Sequence, residues 1–445
     1  MPRHTWLQKL IEKLASATTR MRSRSRSVRL RTVPATEPLE VRQMLSGGPV
    51  NHAHAMTSMN VLAGPEIQFN MHTTGDQVRP KVAMDAKGDY VVVWTDYSGL
   101  DGSGQGIFAQ RYTAASVPQG GNFRVNAYTT GNQFRPTVAM DSAGDFVVTW
   151  SSYGRDGHGW GIFAQRYNAA GVAEGHEFQV NVYTTRDQVF SAVAMDSTGD
   201  FVITWTSVTS SVSSSGIFAR MYNANGTART AEFKVNSYTT GAQDHSAVAM
   251  DSKGDFVVTW DASAGDGSGY GIFARRFNAA GVPLGLDFTV NTYASNNQLA
   301  PAIAMDPAGD FVIAWDSELK DGSSFGVAAR RFNAAAVAQG PEFNVNTFTK
   351  GLQFSPAVAM DNAGDFAIAW DSDKQDGSLD GVYVRRYNSA GTALAIELRV
   401  NSYTTSVQAA PSIAMDALGD FVVAWDSFGQ DGSGYGAFLK RYKAA

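Results

Sequence analysis

The sequence predicts an all-β fold, a seven-bladed β-propeller in which each blade has four antiparallel strands. Three observations predict it. A thirteen-residue phrase, "VAMDSAGDFVVTW" at residues 138–150, recurs seven times with small changes. Each repeat divides into four short apolar runs, and the two ends of the repeat array complement each other. Regular self-similarity of this length is typical of repeat architectures.

The repeat period is 55 residues, with one spacing of 56, measured on the methionine of the phrase at positions 84, 140, 195, 250, 305, 360 and 415. In the unit around Met250 the four runs are "SAVAMD" (246–251), "FVVTW" (256–260), "GIFARRFN" (271–278) and "DFTVN" (287–291). Each run is rich in β-branched and aromatic residues, and Gly, Asp, Asn and Ser separate the runs, which predicts strands joined by turns.

A single four-stranded sheet cannot bury both of its faces. Packing each blade against its neighbours buries the "FVVTW" run, and each large side chain in it contributes roughly 1.5–3 kcal/mol. The phrase is therefore the inner hairpin of a blade, repeated because a ring of blades requires it seven times.

The ends of the array predict how the ring closes. The last unit stops after its third run, "GAFLKRYKAA" (436–445), and an isolated "EIQFN" (66–70) precedes the first full phrase. This isolated run matches "EFQVN" (177–181), a fourth run. We expect the N-terminal strand to complete the last blade, so that the propeller covers residues 66–445 and has no open edge.

The region before the propeller differs in charge. Residues 1–45 contain ten basic and three acidic residues, whereas the remaining 400 carry a net charge of −12. An acidic body disfavours nucleic-acid binding by the propeller. We interpret residues 1–33 as a basic targeting region with a short amphipathic helix at 5–17, and residues 34–65 as a motif and linker. The sequence has no apolar run long enough for a transmembrane helix.

The stretch "EPLEVRQMLS" (37–46) resembles the LEPR-XLL motif found near the N-terminus of many large exported bacterial proteins. Leu39, Glu40, Arg42 and Leu45 match the motif; valine replaces its proline at position 41 and methionine one leucine at position 44. The resemblance implies a bacterial protein that is exported, extracellular or attached to the cell surface. Two alternatives stay open: a disordered basic N-terminal segment that has no targeting function, and an N-terminal arm that binds nucleic acid.

The loop after each tryptophan contains candidate calcium ligands. Six of the seven units carry an Asp-Gly loop such as "DGSGYG" (266–271), and the third unit replaces it with "TSVTSSVSSSG" (206–216). In the last four units a second aspartate directly follows the tryptophan, five residues before the loop aspartate. These pairs are candidate Ca²⁺ ligands, the alternative being simple glycine-dictated turns. The eight residues are Asp261, Asp266, Asp316, Asp321, Asp371, Asp376, Asp426 and Asp431.

The same loop ends in an aromatic residue in four units. An exposed ring beside Asp and Ser is typical of sugar-binding sites, where the ring stacks on a sugar and the polar groups bind its hydroxyls. The alternative is that each ring packs over the next strand. These candidate ligand-binding residues are Trp160, Tyr270, Phe325 and Tyr435.

No catalytic motif emerges from the sequence. It contains no Ser-His-Asp pattern, zinc-protease motif, P-loop or dinucleotide-binding signature, and the near-identical repeats disfavour the single asymmetric site that catalysis needs. We therefore expect a non-enzymatic, exported binding or adhesion module, monomeric and multivalent for a polysaccharide or another surface protein. The alternative is a polysaccharide-acting enzyme, a hydrolase or lyase, on a propeller scaffold.

Overall fold

The computed structural model of the chain describes residues 62–208, 215–263 and 265–444. All the regular elements in these residues are β-strands, and they form seven antiparallel sheets of four strands each. The predicted seven-bladed β-propeller is confirmed. Among the described residues, no helix has the length and hydrophobicity that crossing a membrane requires. The predicted helix at 5–17 and the LEPR-XLL-like stretch lie outside them.

The first strand of each blade lies nearest the ring axis, since these seven strands contact one another in a closed circle. They are β2 (Gln77–Met84), β6 (Gln133–Met140), β10 (Gln188–Met195), β14 (Gln243–Met250), β18 (Gln298–Met305), β22 (Gln353–Met360) and β26 (Gln408–Met415).

The second strands carry the repeated tryptophans. They are β3 (Tyr90–Asp96), β7 (Phe146–Tyr153), β11 (Phe201–Val208), β15 (Phe256–Ser263), β19 (Phe311–Glu318), β23 (Phe366–Asp373) and β27 (Phe421–Phe428).

The third strands pair with the second along their whole length. They are β4 (Gly106–Tyr112), β8 (Trp160–Tyr167), β12 (Ser215–Tyr222), β16 (Tyr270–Phe277), β20 (Phe325–Phe332), β24 (Asp380–Tyr387) and β28 (Tyr435–Lys443).

The fourth strands form the outer edges and are mostly two residues long. They are β1 (Leu62–Gln68), β5 (Phe123–Arg124), β9 (Ala173–Gln179), β13 (Phe233–Lys234), β17 (Phe288–Thr289), β21 (Phe343–Asn344) and β25 (Leu398–Arg399).

The N-terminal strand closes the ring as predicted. β1 pairs antiparallel with β28, with Glu66 opposite Lys440 and Gln68 opposite Phe438. The strand begins at Leu62, four residues before the predicted start at 66, because Leu62 also pairs with Lys443 across a bulge. The seventh blade therefore combines the first and last strands of the chain, and closure leaves it with no missing edge strand.

The core lies between the blades. Successive side chains of a strand point to opposite faces of its sheet, so each second strand sends its tryptophan face toward the preceding blade and its valine face toward the following one. In one such interface, Val91 and Val93 of the first blade pack with Phe146, Val148 and Trp150 of the second. All seven tryptophans of the repeated phrase are at most 2% exposed, which confirms that this run builds the core.

Candidate functional site

Each innermost strand contains a β-bulge near the start of the strand. The pairing register shifts between the second and fifth residues of the strand, for example between Val78 and Lys81. The third residue has a positive φ of 50–58° in all seven blades although none of these residues is glycine. A conformation that L-residues seldom adopt is conserved around the ring only where the surrounding structure enforces it, and such strain often accompanies function.

The seven bulge residues, here called the bulge ring, break the symmetry of the repeats. Because the innermost strands circle the axis, these residues surround one end of the central opening, here called the mouth. In blade order they are Arg79, Arg135, Phe190, His245, Ala300, Ser355 and Ala410. One half of the mouth thus carries large cationic and aromatic side chains, and the other half carries small ones.

Three of the four large side chains, those of Arg135, Phe190 and His245, contact one another in a row. The guanidinium of Arg135 lies 4.4 Å from the centre of the Phe190 ring, and the His245 ring lies 4.7 Å from the same centre. Cation–π and aromatic contacts of this kind restrict the rotamers of their members. Arg135 and His245 are therefore both held against the ring of Phe190.

A second ring of polar side chains lies beside the first and consists of the residues that follow the tryptophans: Thr95, Ser151, Thr206, Asp261, Asp316, Asp371 and Asp426. In the four aspartates a carboxylate oxygen accepts a hydrogen bond from the amide of the bulge residue in the next blade. Asp261 accepts from Ala300 at 3.0 Å, and Asp426 accepts from Arg79 at 3.0 Å across the ring closure. These carboxylates satisfy backbone donors that the bulges leave without strand partners.

Burial makes several of these carboxyl groups unusually weak acids. Desolvation raises the pKa of Asp316 and of Asp371 well above the ordinary value, with neighbouring carboxylates adding to the shift. Burial also raises the pKa of Asp426 to about 7 and that of Asp380, at the start of β24, to about 6. Near neutral pH, therefore, the mouth contains carboxyl groups that retain a proton to a substantial extent.

His245 and Asp261 form a hydrogen-bonded pair at the mouth. The His245 Nδ1 donates to Asp261 Oδ2 at 3.0 Å, and the Asp261 side chain is fully buried while that of His245 is 37% exposed. Burial lowers the pKa of His245, but the charge and hydrogen bond of Asp261, with the charge of Asp244, outweigh it and raise the pKa overall. A buried carboxylate that fixes one ring nitrogen leaves Nε2 for proton transfer, which is the arrangement of a general acid or base.

The structure gives the two aspartates of each predicted calcium pair different partners. The loop aspartate accepts from the asparagine two residues after the fourth strand, as in Asn291 Nδ2 to Asp266 at 2.8 Å and Asn346 Nδ2 to Asp321 at 2.9 Å. Asp376 and Asp431 have equivalent partners. Within the described residues, no group of three or more His, Cys, Asp or Glu residues has a geometry that could hold a metal ion. Calcium binding stays a prediction.

The four predicted aromatic residues all begin third strands and are half-buried. Trp160 contacts the rings of Phe134 at 4.4 Å and Tyr153 at 5.1 Å, and Tyr435 contacts Phe428 at 5.1 Å. Two of the four lie close to the carboxylates of the mouth. Burial, and then the charges of Asp244 and Asp261, raise the pKa of Tyr270 to about 12. Burial, and then the charge of Asp426, raise the pKa of Tyr435 in the same way.

A cleft of about 600 Å³ between the first two blades offers a second concave surface. Its charged groups are already engaged. Arg155 pairs with Glu177 at 2.6 Å, and Glu177 also accepts from the amides of Ala127 and Tyr128, which fixes the link between the blades. The mouth is the stronger candidate because its ionisable groups are not all used to hold the backbone.

Sequence reasoning missed the bulge ring. A signal was present, because the third residue of each innermost strand varies among Arg, Phe, His, Ala and Ser, whereas the glutamine that begins the strand and the Ala-Met pair that ends it are the same in all seven units. Variation between such constant residues marks the part of the strand where the blades differ chemically. Its importance depends on the ring, which brings residues about one repeat apart into a single circle.

No protein-family model matches the chain, and no curated protein sequence matches it. Solved structures do. A protein of unknown function from Dyadobacter fermentans matches with a TM-score of 0.50 and 10% identity, over 86% of this chain and 99% of that one. A polysaccharide lyase matches with a TM-score of 0.49 and 10% identity, over 84% and 90% of the two chains. An α-L-arabinanase from Penicillium chrysogenum, complexed with arabinobiose, matches with a TM-score of 0.46 and 11% identity, over 85% and 98%.

At these identities the similarity shows the fold alone. It nevertheless contradicts our expectation of a non-enzymatic protein, because that expectation rested on the idea that such a symmetric ring disfavours catalysis. The matched structures include a hydrolase and a lyase on this kind of ring. The physical error was to equate repeated blades with repeated chemistry: the blades repeat to build the core, whereas the bulge ring differs from blade to blade.

Proposed function

We propose that the chain is an enzyme that cleaves glycosidic bonds of a polysaccharide at the mouth. The observation that carries this proposal is the pair formed by His245 and the fully buried Asp261, placed in an asymmetric ring of weakly acidic carboxyl groups. Breaking a glycosidic bond requires a group that gives a proton to the leaving oxygen and a group that accepts one elsewhere. His245 can accept, and the carboxyl groups of the mouth can donate.

The protonation states support this division of roles. A carboxyl group whose pKa lies near 6 or 7, as for Asp380 and Asp426, still holds a proton at the pH where an ordinary aspartate has lost it. Asp380 is the more accessible of the two, because it is half-buried whereas Asp426 is buried. We assign His245 as the base, with Asp261 positioning His245, and the protonated carboxyl groups of the mouth as the source of the acid.

A polysaccharide is the substrate class that suits the surroundings of the mouth. Aromatic rings offer apolar faces for sugar rings, and the neighbouring carboxylates and hydroxyls accept and donate hydrogen bonds to sugar hydroxyls. We propose that the four aromatic residues of the third strands are subsites along which a polymer chain approaches the mouth. This proposal includes export of the protein, since polymers of this kind are found outside cells.

The test is the release of reducing ends from a panel of polysaccharides, uronic-acid polymers included, by the purified full-length chain. We expect at least one polymer to be cleaved, and we expect His245→Gln and Asp261→Asn each to lower kcat by about 10²–10⁴-fold. His176→Gln is the matched control, because His176 is exposed on the outer strand of the second blade. Cleavage that His245→Gln leaves unchanged, or a folded protein that cleaves no polymer in the panel, would overturn the proposal.

A further inference from the structure

Three cationic side chains gather at one side of the mouth without carboxylate partners. Arg79 and Arg135 are bulge residues of adjacent blades, and Lys81 lies two residues beyond Arg79 in β2. Across the part of the chain that the structure describes, none of the three forms a salt bridge. The Nε of Arg135 is also buried without a hydrogen-bond partner. An anion bound among these cations would stabilise them through charge-assisted hydrogen bonds.

The repeats show that these cations are not needed to build a blade. The positions equivalent to Lys81 carry only small uncharged residues, namely Thr137, Ala192, Ala247, Ala302, Ala357 and Ser412. The positions equivalent to the two arginines include alanine and serine. Six blades fold without a lysine and five without an arginine at these places. The cations of blades 1 and 2 therefore have a role other than building the blade.

The electrostatics show that the three charges act on one another. Burial, and then the charges of Arg79 and Arg135, lower the pKa of Lys81 to about 8, against an opposing effect of the Asp371 charge. Burial and then the charge of Arg79 lower the pKa of Arg135 to about 9. Like charges gathered in a partly desolvated place destabilise the fold, unless an anionic ligand offsets their repulsion.

We infer that Arg79, Arg135 and Lys81 form an anion site that binds the carboxylate of a uronic acid residue in the polysaccharide substrate. The inference rests on the proposed function, which supplies the polymer. Arginine suits this role because its planar guanidinium binds a carboxylate through two parallel hydrogen bonds. Phe190 stacks on the guanidinium of Arg135 and so holds it in place for such contacts.

The position of the site next to His245 determines the reaction class. A uronate carboxylate is bonded to C5, and neutralising it by cations makes the C5 proton more acidic. His245 contacts the same Phe190 ring that Arg135 contacts. We therefore assign cleavage by β-elimination to this site. His245 Nε2 takes the C5 proton, the C5–H electron pair forms the C4=C5 double bond, and the C4–O4 bond breaks.

The step balances without a further reactant. The departing O4 keeps the electron pair of the broken bond and takes a proton from a protonated carboxyl group of the mouth, while His245 keeps the proton from C5 until solvent removes it. No water is consumed, and neither product is oxidised or reduced. One product carries a C4=C5 unsaturated uronate at its new non-reducing end, which absorbs ultraviolet light; a hydrolysis product does not.

The experiment uses the full chain with polygalacturonate and alginate as uronate polymers, methyl-esterified pectin as a neutral polymer, and dextran sulfate as a non-uronate polyanion. We expect unsaturated products from a uronate polymer and none from the esterified one. Arg79→Gln and Arg135→Gln should each lower kcat/KM by about a hundredfold, since each removes charge-assisted hydrogen bonds to the substrate. Arg399→Gln, an exposed change on the outer strand β25, should leave kcat/KM unchanged.

A second measurement separates a binding role from a structural one. Because the three cations repel one another, Lys81→Met should raise the melting temperature of the free protein and abolish the further rise that uronate oligosaccharides produce in the unchanged protein. A structural lysine would give the opposite result, a lower melting temperature, and this would overturn the inference.

The outcomes distinguish this inference from the proposed function. Cleavage of the esterified polymer at the same rate, or reducing ends without unsaturated product, overturns the inference and leaves the proposed enzyme standing. Stabilisation by uronate oligosaccharides without cleavage of any polymer supports the anion site and overturns the enzyme. Stabilisation by dextran sulfate alone reassigns the cations to sulfate esters and overturns the uronate assignment.

Discussion

Replacing Phe69 with alanine tests whether the N-terminal strand closes the ring. Phe69 follows β1 directly, is only 2% exposed, and packs edge-on against Trp94 of the first blade with ring centres 5.2 Å apart. Val422 and Leu439 of the last blade belong to the same hydrophobic cluster. The phenyl ring therefore joins the two ends of the chain at one interface. Removing a buried phenylalanine side chain costs about 3–5 kcal/mol of unfolding free energy.

The assay is urea unfolding followed by the fluorescence of the buried tryptophans. Val125→Ala is the matched control, because Val125 occupies the equivalent place at the end of the first blade and is 4% exposed. It removes about two methylene equivalents and should cost about 2 kcal/mol. We expect Phe69→Ala to destabilise the protein more than the control does. If Phe69→Ala stays within about 0.5 kcal/mol of the unchanged protein while the control destabilises it, the closure argument is refuted.

Three further predictions follow from the mouth and its surroundings. Asp426→Asn should flatten the dependence of the unfolding free energy on pH. Burial raises the folded-state pKa of Asp426 from 3.8 to about 7. The stabilisation linked to its protonation is therefore complete below a pH of about 4 and is lost as the pH rises through about 7, by a total on the order of 4 kcal/mol. Urea unfolding of both proteins at the two ends of this window measures the effect, and identical pH slopes would contradict it. If the aspartate pairs bind calcium, calorimetric titration with millimolar Ca²⁺ should release or absorb heat, and EDTA should lower the melting temperature. The absence of both effects would show that the pairs do not bind calcium. Combined replacement of the four half-buried aromatic residues with alanine should leave the protein folded but abolish its retention on a polysaccharide affinity column. These residues are Trp160, Tyr270, Phe325 and Tyr435. An unfolded variant would show instead that the four rings belong to the hydrophobic core.

The sequence by itself determined the blades. Strand formation depends on local alternation and turn residues, and these recur with each phrase, so the hairpin from Phe256 to Phe277 was predictable from its own residues. The ring closure was also predictable, because a missing fourth strand at one end and an isolated one at the other end leave a single way to pair every edge.

Only the tertiary structure decided where the chemistry lies. Asp261 and Asp266 look like a pair in the sequence, yet the strand directs Asp261 toward the next blade, where it accepts from Ala300 and His245, while Asp266 turns back to Asn291. The pKa of a carboxyl group depends on the atoms that surround it, and those atoms come from other blades. A period of 55 residues places the bulge residues far apart along the chain, and only closure into a ring brings two arginines, a phenylalanine and a histidine to the same opening.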